Sequence, residues 1–160
     1  MNTTAPIQLV PGSIEADWHR HSNGGGWVYK SATVADSSYV GPDAVVSGNV
    51  WVYGHAEVSG RAWVYGNAQV SGDAQVFGRA WVYGNAWVSG NAQVFGRACV
   101  RGNAWVSGDA QVSGRAWVHG NAWVSGNAQV SGDAEVSGDA QVSGNAEVYG
   151  GCMIVKSKNN

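Results

Sequence analysis

A chain of 160 residues is short enough to form a single domain. Its formal net charge of −2 and its 12% of charged residues exclude a general nucleic-acid binder and a DNA mimic, because both need dense charge of one sign. No apolar run in the sequence is long enough to span a bilayer.

The chain begins with residues 1–25, a segment that follows no repeat. It lacks the basic region and apolar stretch of a secretion signal, so we expect no signal peptide and a cytoplasmic or virion-associated protein. His19 and His21 form an H-x-H pair, but no further His or Cys is close, and we predict no metal site and no cofactor. We expect the segment to cover the unpaired edge of the first coil or to dock a protein partner.

A six-residue repeat then occupies most of the chain. From Val46 to Val148 every sixth residue is valine, and a glycine follows each valine by two positions. Alanine and valine alternate with variable residues, which indicates a short half-buried strand, and the glycine with Asn, Asp or Arg after it indicates a corner. A six-residue unit cannot bury its own apolar side, so it must stack on copies of itself.

A second period of eighteen residues gives the number of sides. The corner residues fall into three columns when they are sorted by this period: an Arg column, an Asn column, and a mixed Asn/Asp column. Three hexapeptides therefore make one coil of a three-sided prism, and the period predicts 22 strands from Val28 to Ile154, or about seven coils. We divide the chain into residues 1–25, a β-helix over 26–155, and a tail over 156–160.

The pattern resembles the hexapeptide-repeat family of left-handed parallel β-helices. The start Gly25-Gly26-Trp27-Val28 and the V-Y-G-N-A run at 64–68 and 82–86 are similar to those of bacterial and phage-encoded hexapeptide proteins, many of which are labelled acyltransferases. The resemblance implies an all-β, left-handed parallel β-helix, and it implies homotrimers. In this chain the glycine stands two positions after the valine, whereas the acyltransferases more often carry it one position after.

Two faces of the predicted prism carry outward aromatic side chains and meet at the Asn corner. Seven outward tryptophans exceed what soluble monomers usually expose, so we predict a parallel homotrimer with these faces at the interface. Two alternatives stay open: the Trp ladders stabilise each prism along its own surface, or they form a ligand surface. The predicted interface residues are Trp51, Trp63, Trp81, Trp87, Trp105, Trp117, Trp123, Tyr65 and Tyr83.

The Arg column is the second candidate site. Guanidinium groups about 4.8 Å apart repel one another, and they either stack in solvent or bind an anion such as a phosphate, a nucleotide or an acidic glycan. Tryptophans follow three of the arginines by two positions, so a base or a sugar could stack beside its phosphate. The candidate anion-binding residues are Arg61, Arg79, Arg97, Arg115, Arg101 and His119.

The uninterrupted repeat argues against an enzyme. Acyltransferases of the resembled family use a histidine at a subunit cleft and a projecting loop for the acyl donor, and this run has no insertion; its histidines are His55 and His119. We therefore predict a non-enzymatic, trimeric structural or adaptor protein, associated with a phage or mobile element. The alternatives are a module that binds an anionic, nucleotide or glycan ligand for host attachment or counter-defence, and a hexapeptide acyltransferase.

We expect Cys99 to face out, Cys152 to face in, and both to stay reduced.

Overall fold

The computed structural model describes residues 4–156. Its first elements are two 3-10 helices, η1 Ile7–Leu9 and η2 Glu15–Asp17. The strands follow as β1 Trp18–Arg20, β2 Trp27–Tyr29, β3 Thr33–Val34, β4 Tyr39–Val40, β5 Val45–Val46, β6 Trp51–Val52, β7 Glu57–Val58, β8 Trp63–Val64, β9 Gln69–Val70, β10 Gln75–Val76 and β11 Trp81–Val82. The remaining strands are β12 Trp87–Val88, β13 Gln93–Val94, β14 Cys99–Val100, β15 Trp105–Val106, β16 Gln111–Val112, β17 Trp117–Val118, β18 Trp123–Val124, β19 Gln129–Val130, β20 Glu135–Gly138, β21 Gln141–Val142, β22 Glu147–Val148 and β23 Met153–Lys156.

These strands form three sheets, which are the sides of the prism. Sheet 1 has nine strands in the order β1-β2-β5-β8-β11-β14-β17-β20-β23. Sheet 2 runs β3-β6-β9-β12-β15-β18-β21, and sheet 3 runs β4-β7-β10-β13-β16-β19-β22. Each strand from β2 onward pairs in parallel with the strand eighteen residues away, as Trp81 does with Trp63 and with Cys99. The predicted all-β parallel helix with three sides and about seven coils is confirmed, and β2–β23 are the 22 predicted strands.

The core of the prism is built from valine and alanine side chains. Val88 and Ala86 are fully buried, and nearly all the repeat's inward valines and alanines match them. The turn between strands needs a positive φ, which glycine supplies at little cost; at Gly90 φ is +69°. Backbone bonds join successive coils at strand and corner alike, for example from Trp87 N to Ala104 O at 2.9 Å and from Asn91 N to Gly108 O at 2.9 Å. This regular ladder holds the outward side chains in columns.

The N-terminal segment lies against the start of sheet 1. Strand β1 pairs antiparallel with β2, and Trp18 and Trp27 form a small second core with Ala5. Lys30 Nζ lies 2.7 Å from Asp17 Oδ1, and this ion pair lowers the pKa of the carboxyl and raises that of the amine. The described part of the segment therefore packs on the first coil. Residues 1–3 and 157–160 lie outside the described residues, and the division into three segments stays a prediction, with β23 extending to Lys156.

The two cysteines lie at the outward and inward positions that the sequence predicts, but their burial is the reverse of what those positions suggest. Cys99 occupies an outward position but is only 8% exposed, because the larger side chains around it cover the thiol. Cys152 occupies an inward position but is exposed, because the described chain adds no complete coil above it. Among residues 4–156, no helix is long and apolar enough to cross a membrane.

Candidate functional site

Sheet 2 carries a stacked tryptophan ladder. The ring centroids of Trp87 and Trp105 are 4.8 Å apart with planes 3° from parallel, and Trp105 and Trp123 are 5.2 Å apart at 9°. The ladder forms because the parallel register sets identical side chains one strand spacing apart, a distance that suits offset ring stacking. Gln69 interrupts the column, so Trp51 stands apart and is 55% exposed.

A groove opens where Gln69 interrupts this ladder. Its volume is about 640 Å³. It is lined by Thr33, Ala35, Trp51, Val52, Tyr53, Gln69 and Trp87. None of these side chains carries a formal charge at neutral pH, so the groove offers stacking surface and a few hydrogen-bonding groups.

Sheet 1 carries a less regular aromatic column. Trp63 and Trp81 meet edge to face, with centroids 5.8 Å apart and planes at 82°, while Tyr65 and Tyr83 beside them stack at 4.6 Å and 5°. Burial raises the pKa of Tyr65 to about 12 and raises that of Tyr83 as well. The column is interrupted at Cys99 and resumes at Trp117, which is 47% exposed.

Three indole N–H groups are buried by the ladders themselves. Nε1 of Trp63, Trp87 and Trp105 is inaccessible to solvent and has no hydrogen-bond partner among the described residues. These rings are therefore held by ring contacts rather than by polar bonds, which favours some stabilisation of each prism along its own surface. The flanking rings Trp51 and Trp123 stay more than 40% exposed, so the ladders do not bury all of their apolar surface internally.

The Arg column lies at the corner between sheets 3 and 1. Arg61, Arg79, Arg97 and Arg115 are all exposed, and within residues 4–156 none of their side chains makes a hydrogen bond or an ion pair. On the sheet 3 side the column is flanked by Phe77 and Phe95, which stack at 4.9 Å and 1°. Four guanidinium groups thus stand in one line in solvent, a geometry suited to a ligand with negative charge.

Arg101 and His119 lie on sheet 1 but on the opposite margin from the Arg column. Both follow the sheet 1 strands, toward the Asn corner, whereas the Arg column precedes those strands. The Arg101 guanidinium stands 5.1 Å from the centroid of the Trp117 ring. His119 Nε2 lies 2.9 Å from Glu135 Oε1, a contact that sequence reasoning missed although the eighteen-residue period sets Glu135 on the next rung.

The Asn corner satisfies its own polar groups. The amide Nδ2 of each asparagine donates to the side-chain oxygen eighteen residues later, as from Asn85 to Asn103 at 3.0 Å and from Asn103 to Asn121 at 3.1 Å. The chain of amides ends on the carboxylate of Asp139, 2.9 Å from Asn121. This contrasts with the Arg column, whose donors are left to solvent.

A notch opens at Cys99, where the sheet 1 ladder meets the Arg column. Its volume is about 370 Å³. It is lined by Arg79, Trp81, Tyr83, Arg97, Cys99 and Trp117. Burial raises the pKa of the Cys99 thiol, so the floor of the notch is uncharged at neutral pH. The structure therefore brings together five of the predicted residues: Arg79, Arg97, Trp81, Tyr83 and Trp117.

The two histidines of the N-terminal segment lie in different environments. His21 is 6% exposed with Nε2 3.0 Å from Ser38 O, whereas His19 is exposed. In the part of the chain that the structure describes, no three His, Cys, Asp or Glu side chains are grouped to hold a metal ion.

Comparison with known proteins finds a similarity in the repeat. Residues 74–90 and 110–126 match the family model described as YdcK Beta solenoid repeat. No curated protein and no solved structure matches the chain. The match concerns the repeat and carries no activity, so the acyltransferase label stays a prediction. The chain is a β-solenoid repeat protein, and two of its segments are similar to the YdcK-type repeat.

Proposed function

We propose that this β-solenoid is a non-enzymatic structural or adaptor protein that assembles as a parallel homotrimer. The observation that carries the proposal is the exposure of aromatic rings beside the Asn corner: Trp51 and Trp123 on sheet 2 are 55% and 42% exposed. Soluble monomers rarely leave several large aromatic rings of one face in water, so we expect a partner surface to cover them. Burying one such ring against a neighbour contributes about 2–3 kcal/mol before the costs of association.

The two aromatic sheets meet at the Asn corner, which we set toward the three-fold axis. Three triangular prisms that meet at one corner do not fill the circle around the axis, so their faces diverge outward. The residues next to the Asn corner are the Tyr65 and Tyr83 pair of sheet 1 and the Trp87, Trp105 and Trp123 column of sheet 2. These residues fill the narrow inner part of the interface, and the Arg column stays at its open outer margin.

The assembly is tested by light scattering after size exclusion. Three chains of 16.7 kDa give a mass of about 50 kDa. Replacing Trp51 and Trp123 with glutamine should shift the mass to 16.7 kDa, and glutamine already occupies this column at Gln69 and Gln141, so the fold should persist. The matched control is Gln111→Glu on sheet 3, a column that already contains glutamate, and its mass should not change. A wild-type mass of one chain contradicts the proposal.

The non-enzymatic part of the proposal is supported by the uninterrupted repeat. From β5 to β22 a strand recurs every six residues, which leaves no projecting loop to hold an acyl donor. We expect acetyl-CoA to produce no heat of binding in titration calorimetry. Binding that is lost in His119→Ala would instead favour an acyltransferase.

We also propose a cellular context: association with a phage or a mobile element, in the cytoplasm or on a virion. The prism would display its N-terminal segment, or one end, to a protein partner. Deleting residues 1–17, which precede β1, tests this role: partner capture should be lost while the mass of the assembly is kept. Unchanged capture would contradict the role of the segment.

A second candidate function is a ligand-binding module, for host attachment or counter-defence. The specific observation that favours it is the notch at Cys99, where two unpaired guanidinium groups stand beside exposed indole rings. Replacing Arg79 and Arg97 with alanine should remove binding of an anionic ligand and leave the mass unchanged. Retained binding in this variant would exclude the Arg column as the site.

A further inference from the structure

The sheet 1 tryptophan column is missing one ring. Trp81 pairs with Cys99, and Cys99 pairs with Trp117, so Trp81 and Trp117 stand two rungs apart on the same sheet. Where rings occupy neighbouring rungs in this protein, stacked centroids are 4.6–5.2 Å apart. Two rungs correspond to about 9.6 Å, which leaves room for one flat ring between the two tryptophans.

We propose that the notch at Cys99 binds one planar ring that carries a phosphate or a carboxylate. This inference rests on the ligand-binding candidate and is independent of the trimer. The ligand's ring takes the position of the absent tryptophan, between Trp81 and Trp117. Its anionic group points to the Arg corner. There Arg79 lies two residues before Trp81, and Arg97 lies two residues before Cys99.

The volume and lining of the notch suit such a ligand. A volume of about 370 Å³ is in the range of small-molecule sites, and it suits one ring system rather than a polymer chain. Cys99 is small and only 8% exposed, so the floor of the notch is formed by the thiol together with the aromatic side chains packed around it, and it is largely apolar. Trp81 and Trp117 are the two most exposed tryptophans of sheet 1, so both keep ring surface open to solvent beside their contacts with Trp63 and Arg101.

The charges around the notch favour an anion. Arg79 and Arg97 make no ion pair within the described residues, and their mutual repulsion is relieved when a phosphate or carboxylate binds between them. Arg101 lies over Trp117 on the inner side, and its Nε is buried without a hydrogen-bond partner. Within the described residues the carboxylate of Glu135 makes no ion pair with these three arginines; its Oε1 lies 2.9 Å from His119 Nε2.

The groove at Gln69 on sheet 2 is a natural control for this inference. There, too, a single non-aromatic side chain interrupts a tryptophan column, between Trp51 and Trp87. The lining of that groove contains no arginine, so it offers stacking without an anion site. If ring stacking alone determined binding, a planar ligand would bind at both sites. A planar anion should bind preferentially at the notch at Cys99.

The experiment is titration calorimetry with adenosine 5′-monophosphate and 2-naphthoate as planar anions, and with adenosine and inorganic phosphate as half-ligands. We expect at least one planar anion to bind about tenfold or more tightly than either half-ligand, because stacking and charge act together. Cys99→Trp fills the missing rung with the residue found at Trp63, Trp81 and Trp117, and it should abolish this binding. Gln69→Trp fills the sheet 2 gap in the same way and should leave binding unchanged.

One further variant, a double substitution, separates the contribution of the ring from that of the charge. With Arg79 and Arg97 replaced by alanine, adenosine 5′-monophosphate should bind no better than adenosine. The inference is overturned if neither planar anion binds the wild type, or if Cys99→Trp binds as tightly as the wild type while its circular dichroism spectrum is native. Masses measured on the same samples test the trimer separately. If the ligand does not bind but the mass is that of three chains, the ligand site is rejected and the trimer is kept. If the wild type is a monomer that binds the anion, the trimer is rejected and the ligand site is kept.

Discussion

The close approach of successive coils at their glycine corners can be measured with one pair of substitutions, Gly90→Ala and Gly144→Ala. Both glycines lie between serine and asparagine, in the same corner column, with φ of +69° and +67°. A Cβ on Gly90 would lie 3.0 Å from the carbonyl oxygen of Gly108 and 3.1 Å from its nitrogen. A Cβ on Gly144 would meet no atom within 4 Å. The pair therefore shares its backbone strain and differs in contact with the next coil.

The expected magnitudes follow from these contacts. A side chain in the left-handed region lowers the free energy of unfolding by about 1–2 kcal/mol. Alanine in place of glycine also restricts the unfolded chain, which raises the free energy of unfolding by about 0.4–1 kcal/mol. Both effects are the same in the two variants. Only Gly90→Ala must also push two coils apart, which strains the bond from Asn91 N to Gly108 O at 2.9 Å. Overpacking of this kind costs about 1–3 kcal/mol. We expect Gly90→Ala to be the less stable variant by that amount.

The assay is urea unfolding followed by far-ultraviolet circular dichroism. Val88→Ala and Val142→Ala serve as controls for position in the solenoid, because these valines lie in the same strand column and are 0% and 3% exposed. Similar losses in this pair show that the two coils report equally on unfolding. Equal destabilisation by Gly90→Ala and Gly144→Ala would then refute the argument that coil contact, in addition to backbone angle, demands glycine.

Three further outcomes are expected. Asn103→Ala removes two amide bonds of the Asn corner and should lower the free energy of unfolding by about 0.5–1 kcal/mol, and a neutral result would show that the exposed ladder contributes nothing. At pH 8 a thiol reagent should modify exposed Cys152 well before Cys99, whose pKa burial raises, and equal rates would contradict the buried notch floor. The pKa of Tyr65 is about 12 in the folded state against 10.0 for the free side chain, so the unfolded state loses its proton first. Stability should therefore fall as pH rises from about 10 to 12, and Tyr65→Phe should reduce that fall.

Much of the site was predictable because the repeat is strict. Residues eighteen positions apart in the sequence lie on successive rungs of one column. The columns that contain Trp87 and Arg79 therefore follow from counting in eighteens. The same counting indicates the gaps at Gln69 and Cys99. It does not show whether a ring leans over a gap, and the burial of Cys99 by its neighbours depends on that.

Other features depended on side-chain directions. The rings of Trp87 and Trp105 stack face to face, whereas those of Trp63 and Trp81 meet edge to face, although both pairs have the same spacing along the chain. The contact of His119 with Glu135 is diagonal, and a diagonal neighbour forms only if the rotamers turn toward each other.

The sequence by itself determined the parallel β-solenoid, its three sides and its eighteen-residue coil, because a six-residue apolar unit has no way to bury itself except by stacking on its copies. Tertiary structure alone decided which polar and aromatic groups are satisfied. It joined the asparagines of one corner to each other through hydrogen bonds, left the arginines of another to solvent, and opened the notch between Trp81 and Trp117. The physical reason is that backbone hydrogen bonds between coils set the positions of the columns, whereas the size and rotamer of each side chain decide whether a column closes on itself or leaves room for a ligand.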